Sequence, residues 1–244
     1  MTSRAPYAVA CTLALGVQAC GSPGATNQPT RTPTAGHVSI AVAQELPLLV
    51  GKASRGSAAA RSTEEEQSTV ERTARDVGAF IPRTRPSVHY AFTDRLAAGL
   101  QGNVAFSLQA LGTWNPVRTR WVDASVRIGV GYEQCAIVTS RWCQQDALAD
   151  FVFHAEALGS LGFNPSERVT VQLTAGPILQ RGADTRVLAW TQLDAYVFIT
   201  RQVGLGPSVL VLPRWQPDGR WIVAPALSVL VYPGDANPYL KDRK

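Results

Sequence analysis

This 244-residue chain has no phosphate loop, no dinucleotide fingerprint and no Gly-x-Ser-x-Gly elbow. Nucleotide-dependent and α/β-hydrolase chemistry therefore lack their usual sequence supports. Lysine occurs only at Lys52, Lys241 and Lys244, so the strand-like region between them holds none. Cysteine occurs only at Cys11, Cys20, Cys135 and Cys143. No nearby His or Cys gives Cys135 and Cys143 the two further ligands that a zinc site needs, so no metal and no cofactor is expected. The longest mostly apolar run near the N-terminus, Ala8 to Val17, is too short for a membrane-spanning helix. The net charge of +5 is carried mainly by arginine scattered through turns and loops. With no basic stripe and no nucleic-acid motif, nucleic acid is not an expected partner.

What the chain does have is alternation. Leu96, Ala98, Leu100, Val104, Phe106 and Leu108 share one face of an extended stretch; Ala97, Gly99, Gln101, Asn103, Ala105 and Ser107 share the other. Successive strand residues point to opposite faces, so this is one greasy face and one small, polar face. The pattern returns in Val88 to Phe92, Val122 to Tyr132, Phe151 to Leu161, Val169 to Ala175 and Val187 to Ile199. A final hairpin, Val203 to Trp215 and Trp221 to Tyr232, is expected around Gln216-Pro-Asp-Gly219. Turn chemistry separates the segments at Thr93-Asp94-Arg95, Asn164-Pro165-Ser166 and Gly182-Ala-Asp184. Val38 to Val50 is a further candidate strand. Gly51 to Asp76 is polar, with a short helix conceivable at Thr63 to Arg75 but no apolar stripe to bury. It reads as part of a long exposed loop at about 51–80.

The count is eight to ten antiparallel strands, longer than the five or six residues usual in soluble sheets. Long strands in meander order predict an all-β, up-and-down antiparallel β-barrel. Aromatics gather near strand ends at Trp114, Trp121, Tyr132, Phe163, Trp215, Trp221 and Tyr232, where an interfacial girdle would sit.

The N-terminus reads as an export signal over residues 1–19, with Arg4 ahead of the apolar stretch. Val17-Gln-Ala-Cys20 resembles a bacterial lipobox, with Cys11 a weaker alternative. By that resemblance Cys20 would become the first mature residue and carry lipid, palmitate included; Gly21 after it, rather than Asp, points to the outer membrane. Residues 20–36, rich in Gly, Pro and Thr, are expected to be a flexible tether. The remaining 37–244 form one barrel domain. In an exported protein, Cys135 and Cys143 are a disulfide candidate.

At Tyr90-Ala-Phe-Thr-Asp-Arg-Leu96, followed by Ala97-Ala-Gly-Leu100, the chain resembles a hairpin of bacterial outer-membrane β-barrel proteins. The resemblance covers one hairpin closely and the other strands only as a pattern. It implies a fold and a membrane rather than an activity. The C-terminus departs from it, since Asn237 to Lys244 does not end on an aromatic strand residue.

The inward face of such a barrel would gather Gln101, Asn103, Asp123, Arg127, His154, Glu156, Gln172, Gln192 and Asp194. Opposite charges among them are expected to pair and plug the lumen. His89 faces the same side and is expected to be packed there. His154, Glu156 and Ser160 invite comparison with a hydrolytic triad. However, residues two apart on a strand lie about 6–7 Å apart, and Ser160 would lie about 20 Å from His154. A triad would need a serine from a neighbouring strand, so no catalytic residue is assigned.

The leading expectation is an outer-membrane β-barrel lipoprotein of a Gram-negative bacterium, lipid-anchored and membrane-spanning. Its role would be structural, or passive binding and transport, with outer-membrane lipids or lipopolysaccharide as partners. The second is a soluble, lipid-anchored, lipocalin-like barrel with its apolar face inward around a small apolar ligand. The third is a lipid-modifying hydrolase of the outer membrane. Which face of each strand meets water separates the first two.

Overall fold

The computed structural model describes residues 28–46, 48–50, 83–103, 107–134, 151–181, 185–213, 221–234 and 237–240. The signal, Cys11, Cys20, the Cys135 and Cys143 pair, the polar loop and the Gln216–Gly219 turn lie outside them. So does Trp215. The described residues form no helix.

Eleven strands run in sequence: β1 (Val38–Glu45), β2 (Leu48–Val50), β3 (Arg83–Ala91), β4 (Leu96–Asn103), β5 (Ser107–Arg118), β6 (Val122–Gln134), β7 (Phe151–Ser166), β8 (Val169–Arg181), β9 (Thr185–Phe198), β10 (Val203–Leu212) and β11 (Trp221–Val231). From β3 onward each pairs antiparallel with the next. β1 pairs with β3 on one side and with β11 on the other, from Ile40↔Val231 to Glu45↔Ala226. That last pairing closes the sheet. β2 continues along β11 at Trp221↔Val50, so β1 and β2 make one interrupted stave and the barrel has ten. Closure through β1 and β11 gives every described strand but β2 a neighbour on both sides.

One end of the barrel carries only short connections. β3 to β4, β5 to β6, β7 to β8 and β9 to β10 turn within two to four residues. Both ends of the described chain, 28–37 and 232–240, lie at this short-turn end. Thr93 shows how such a turn is held: its Oγ1 accepts from the backbone N–H of Arg95 and Leu96.

Side chains sort by face. Outward positions are apolar along every long strand: Leu96 and Leu100 on β4, Val126, Ile128 and Val130 on β6, Leu161 on β7, Leu173 on β8, Leu193 on β9. Inward positions include Gln101, Gln109, Asp123, Ser125, Arg127, Glu156, Gln172 and Asp194, all buried. The sidedness of the lipocalin-like alternative, apolar in and polar out, is therefore reversed here.

Several sequence expectations need correction. The alternation from Leu96 to Leu108 is not one strand: Asn103 pairs with Ser107, and β4 folds back onto β5. Leu100 and Leu108 both face outward, so the pattern survives the reversal and hides it. Asn164-Pro165-Ser166 is not the turn either. β7 runs through it with a register irregularity between Phe163 and Ser166, and the chain turns at Glu167 and Arg168. Proline is tolerated there because the ladder is already interrupted. Tyr232 is buried rather than girdling, because the chain turns into the lumen after β11. The remaining described aromatics of that set, Trp114, Trp121, Tyr132, Phe163 and Trp221, are exposed on the outside.

The inner face is also less polar than its alternation suggests. Leu158, Ile178, Leu188, Trp190, Leu210, Leu212 and Ile222 pack together on the β7–β11 side. Tyr196, Phe198, Leu230, Tyr232 and Tyr239 form a second apolar cluster at the short-turn end.

Candidate functional site

The lumen is the one place where chemistry-bearing side chains converge among the described residues. Its central layer is built by the period-two alternation of β6 and β7, which turns Arg127 and Glu156 inward from neighbouring strands. Arg127 Nε lies 3.1 Å from Glu156 Oε1, and its guanidinium stands 6.0 Å from the centre of the Trp190 ring. Arg85 and Glu45 form a second buried pair at 3.4 Å. Gln192 donates to Asp194. Ser160 and Thr174 share a hydrogen bond of 2.9 Å, and Gln172 donates to Thr174 at 2.9 Å. Of the sequence-derived cluster, Gln101, Asp123, Arg127, His154, Glu156, Gln172, Gln192 and Asp194 are all buried inward. Asn103 lies on β4, and its side chain is outside the described set. His89 is buried as well.

Asp123 does not pair with Arg127. Its partner is Arg31, from the segment expected to be a free tether. Residues 29–34 are buried inside the short-turn end of the barrel. Arg31 Nε donates to Asp123 Oδ2 at 2.8 Å. Its two terminal nitrogens donate to the carbonyls of Thr119 and Pro238, and its guanidinium lies 4.8 Å from the centre of the Tyr239 ring. Asn164 donates to the same carboxylate oxygen at 2.6 Å and accepts from Thr170 at 2.7 Å. On either side of Arg31, Thr30 donates to Gln172 Oε1 at 2.7 Å and Thr32 to the Asp94 carbonyl at 2.7 Å. The segment is polar enough to satisfy a polar wall, and that is why it docks there. The tether expectation for residues 28–36 is thus corrected by a set of specific side-chain bonds.

Tyr239 completes the seat. It stacks on Phe198, with ring centroids 4.8 Å apart, and its hydroxyl accepts from the Arg31 N–H. Burial, with the Asp123 charge adding to it, pushes the phenol above its usual range, which keeps it neutral beside the ion pair. Sequence reasoning missed Arg31, Asn164, Tyr239, Glu45 and Arg85. Nothing in the spacing of a Thr-Arg-Thr-Pro segment or a C-terminal Pro-Tyr marks either as a lumen element.

A cavity of about 20 Å³ separates the seated segment from the central layer, with Arg31 and Thr32 on one side and His89, Ser125 and Arg127 on the other. It has room for about one water molecule. No three His, Cys, Asp or Glu side chains among the described residues come together as metal ligands. Of the residues weighed for a triad, Glu156 is held by Arg127 and Ser160 by Thr174. What the arrangement does chemically is fill and hold the lumen.

No family model matches the chain, and no curated protein does. Among solved structures, it is similar to a bacterial polysaccharide outer membrane secretin at 10% identity and a TM-score of 0.42, covering 62% of this chain and 56% of that one. LpxR from Salmonella typhimurium is similar at 11% identity and a TM-score of 0.40, covering 80% of this chain and 99% of that one. Ail, the attachment invasion locus protein of Yersinia pestis, follows at 6% identity and 0.34, covering 82% and 99%. Scores and identities this low say nothing about activity, ligand or partner.

Proposed function

We propose that this chain is a membrane-spanning β-barrel of the Gram-negative outer membrane, with a structural or passive binding role at the envelope. One observation carries the reading: the barrel is inside out relative to a soluble protein. A continuous apolar belt faces outward, and paired charges and amides face inward. In water that belt would be a large aggregation hazard; in a bilayer it is the contact surface.

The dimensions support it. From the pair Val122↔Phe163 to the pair Tyr132↔Phe153, β6 and β7 each span ten residue steps. At about 3.3 Å per residue and about 40° of tilt, that is an apolar band about 25 Å tall, the height of an outer-membrane barrel. Exposed Phe92, Trp114, Trp121 and Phe163 stand at the short-turn end, and Tyr132, Phe153 and Trp221 at the other. Two aromatic rings at that spacing fit two membrane interfaces. On this reading the short-turn end, with both ends of the described chain, faces the periplasm. Lipid on Cys20 would hold that end to the inner leaflet, and outer-membrane lipids would be the main contact partners.

Wide diffusion is not the proposed role, because side chains and residues 29–34 fill the lumen. Catalysis is not proposed either, since Glu156 and Ser160 are engaged in structural bonds. Carbonate extraction of membranes bearing the parent and Cys20→Ala chains tests the reading. A Cys20→Ala chain that stays in the membrane pellet and shifts on gels only after heating supports it. A chain that washes off, or that migrates alike with and without heating, overturns it.

A further inference from the structure

We infer that residues 28–34 are a withdrawable plug, and that withdrawing them opens the polar side of the lumen to water and small ions. The inference rests on the membrane reading above.

The seat is built for this segment. Arg31 has a buried carboxylate, two carbonyls and an aromatic face as partners. Thr30 occupies the space that Gly162 leaves empty on β7: a Cβ at position 162 would come within 2.7 Å of Thr30 Oγ1 and 3.2 Å of Thr30 Cβ. Yet the plug is not part of the barrel. Residues 28–34 belong to no strand, and the sheet closes through β1 and β11 without them. Side chains hold the segment, not the ladder.

Beyond the plug runs a column of polar groups. His89 Nε2, Gln109 Nε2 and Ser87 Oγ are buried there with no hydrogen-bond partner among the described residues. Buried polar atoms of this kind are satisfied by water. The small cavity joins this column to the underside of the plug. Most large apolar residues of the lumen keep to the other wall and the short-turn cluster, with Leu111 on β5 the exception beside Gln109. Lifting out Arg31 and its neighbours would therefore connect the periplasmic side to a hydrated seam too narrow for larger solutes.

The test is ion conductance of the full chain in planar bilayers, with Cys135 and Cys143 changed to serine in every sample. Gly162→Val fills the space of Thr30 and leaves the Arg31 and Asp123 side chains themselves unchanged. Asp123→Asn removes the charge that faces Arg31. Each is expected to raise the conducting fraction about tenfold or more over the parent. The pair Thr30→Cys with Gly162→Cys sets two Cβ atoms 3.2 Å apart, just short of the usual disulfide span of about 3.5–4.5 Å and within reach of a small shift of the strand-free segment. Oxidising it is expected to abolish conductance, and reduction to restore it. The inference is overturned if inserted, heat-modifiable variants conduct no more than the parent, or if the oxidised pair conducts like the reduced one. Should the first two variants not fold, the oxidised and reduced pair decides alone, because the seated plug is then kept. A parent chain that does not insert defeats the membrane reading, and the inference with it; absence of a heat-modifiable band marks that case.

Discussion

A guanidinium and a carboxylate buried together each lose several kcal/mol of hydration, offset only by good geometry and further hydrogen bonds. Arg31 and Asp123 meet that condition: Asn164 shares the carboxylate, and two carbonyls and the Tyr239 ring share the guanidinium. Removing one partner alone strands the other. Arg31→Ala, which strands Asp123 on the barrel wall, is therefore expected to lower stability by about 3–5 kcal/mol, read as the urea midpoint of unfolding in lipid vesicles. Arg31→Ala with Asp123→Ala together should cost clearly less than the sum of the single changes, because the second removes a charge already stranded. A strictly additive double variant would show that the two do not interact. Arg127 and Glu156 make the same argument one layer further in. Glu156→Ala should leave Arg127 beside Trp190 without its counter-charge and cost a similar amount, whereas Glu156→Gln, still able to accept, should cost less.

Along a strand, the informative quantity is which of two faces a residue occupies. Ile128 and Arg127 are neighbours in sequence, one exposed outward and one buried inward. Ile128→Arg is expected to cost about 2–4 kcal/mol in a bilayer, since it places a charge on the lipid face near mid-height. The same change at Phe163, nearer the interface, should cost about 1 kcal/mol or less. Equal costs at the two heights would contradict the depth assignment. This level was also the one most legible from the sequence. Period-two alternation located β3, β6, β7, β8 and β9 and assigned their faces, because one-sided burial writes itself into every second residue, and β10 and β11 were legible as a hairpin. It missed β5 as a separate strand, since a three-residue reversal returns Leu108 to the face of Leu100, and since Ala110 and Gly112 blur the outward pattern. It mistook Asn164 for a turn residue, although its side chain is committed to Asp123 and Thr170. The plug was not legible at all. Composition marks residues 20–36 as unable to bury enough apolar surface of their own, whereas residues 28–34 are held by a polar wall assembled from strands distant in sequence.

The whole molecule is a closed wall with a divided interior: ion pairs and amides toward β3–β8, an apolar pack toward β7–β11, and both ends of the described chain tucked into the short-turn end. The wall explains the length of the strands, the absence of lysine from them and the pairs of aromatic rings. The divided interior explains why the barrel is filled without being uniformly dry. Everything turns on the outward belt meeting lipid. Single nitroxide labels placed in turn from Ala124 to Gly131 on β6 of the reconstituted protein measure this directly, through relaxation by oxygen, which concentrates in lipid, against a water-soluble nickel chelate. The prediction is a period of two, with oxygen contact highest at Val126, Ile128 and Val130 and lowest at Ser125, Arg127 and Gly129. Nickel contact peaking at Val126, Ile128 and Val130 would place that face in water and contradict the membrane barrel.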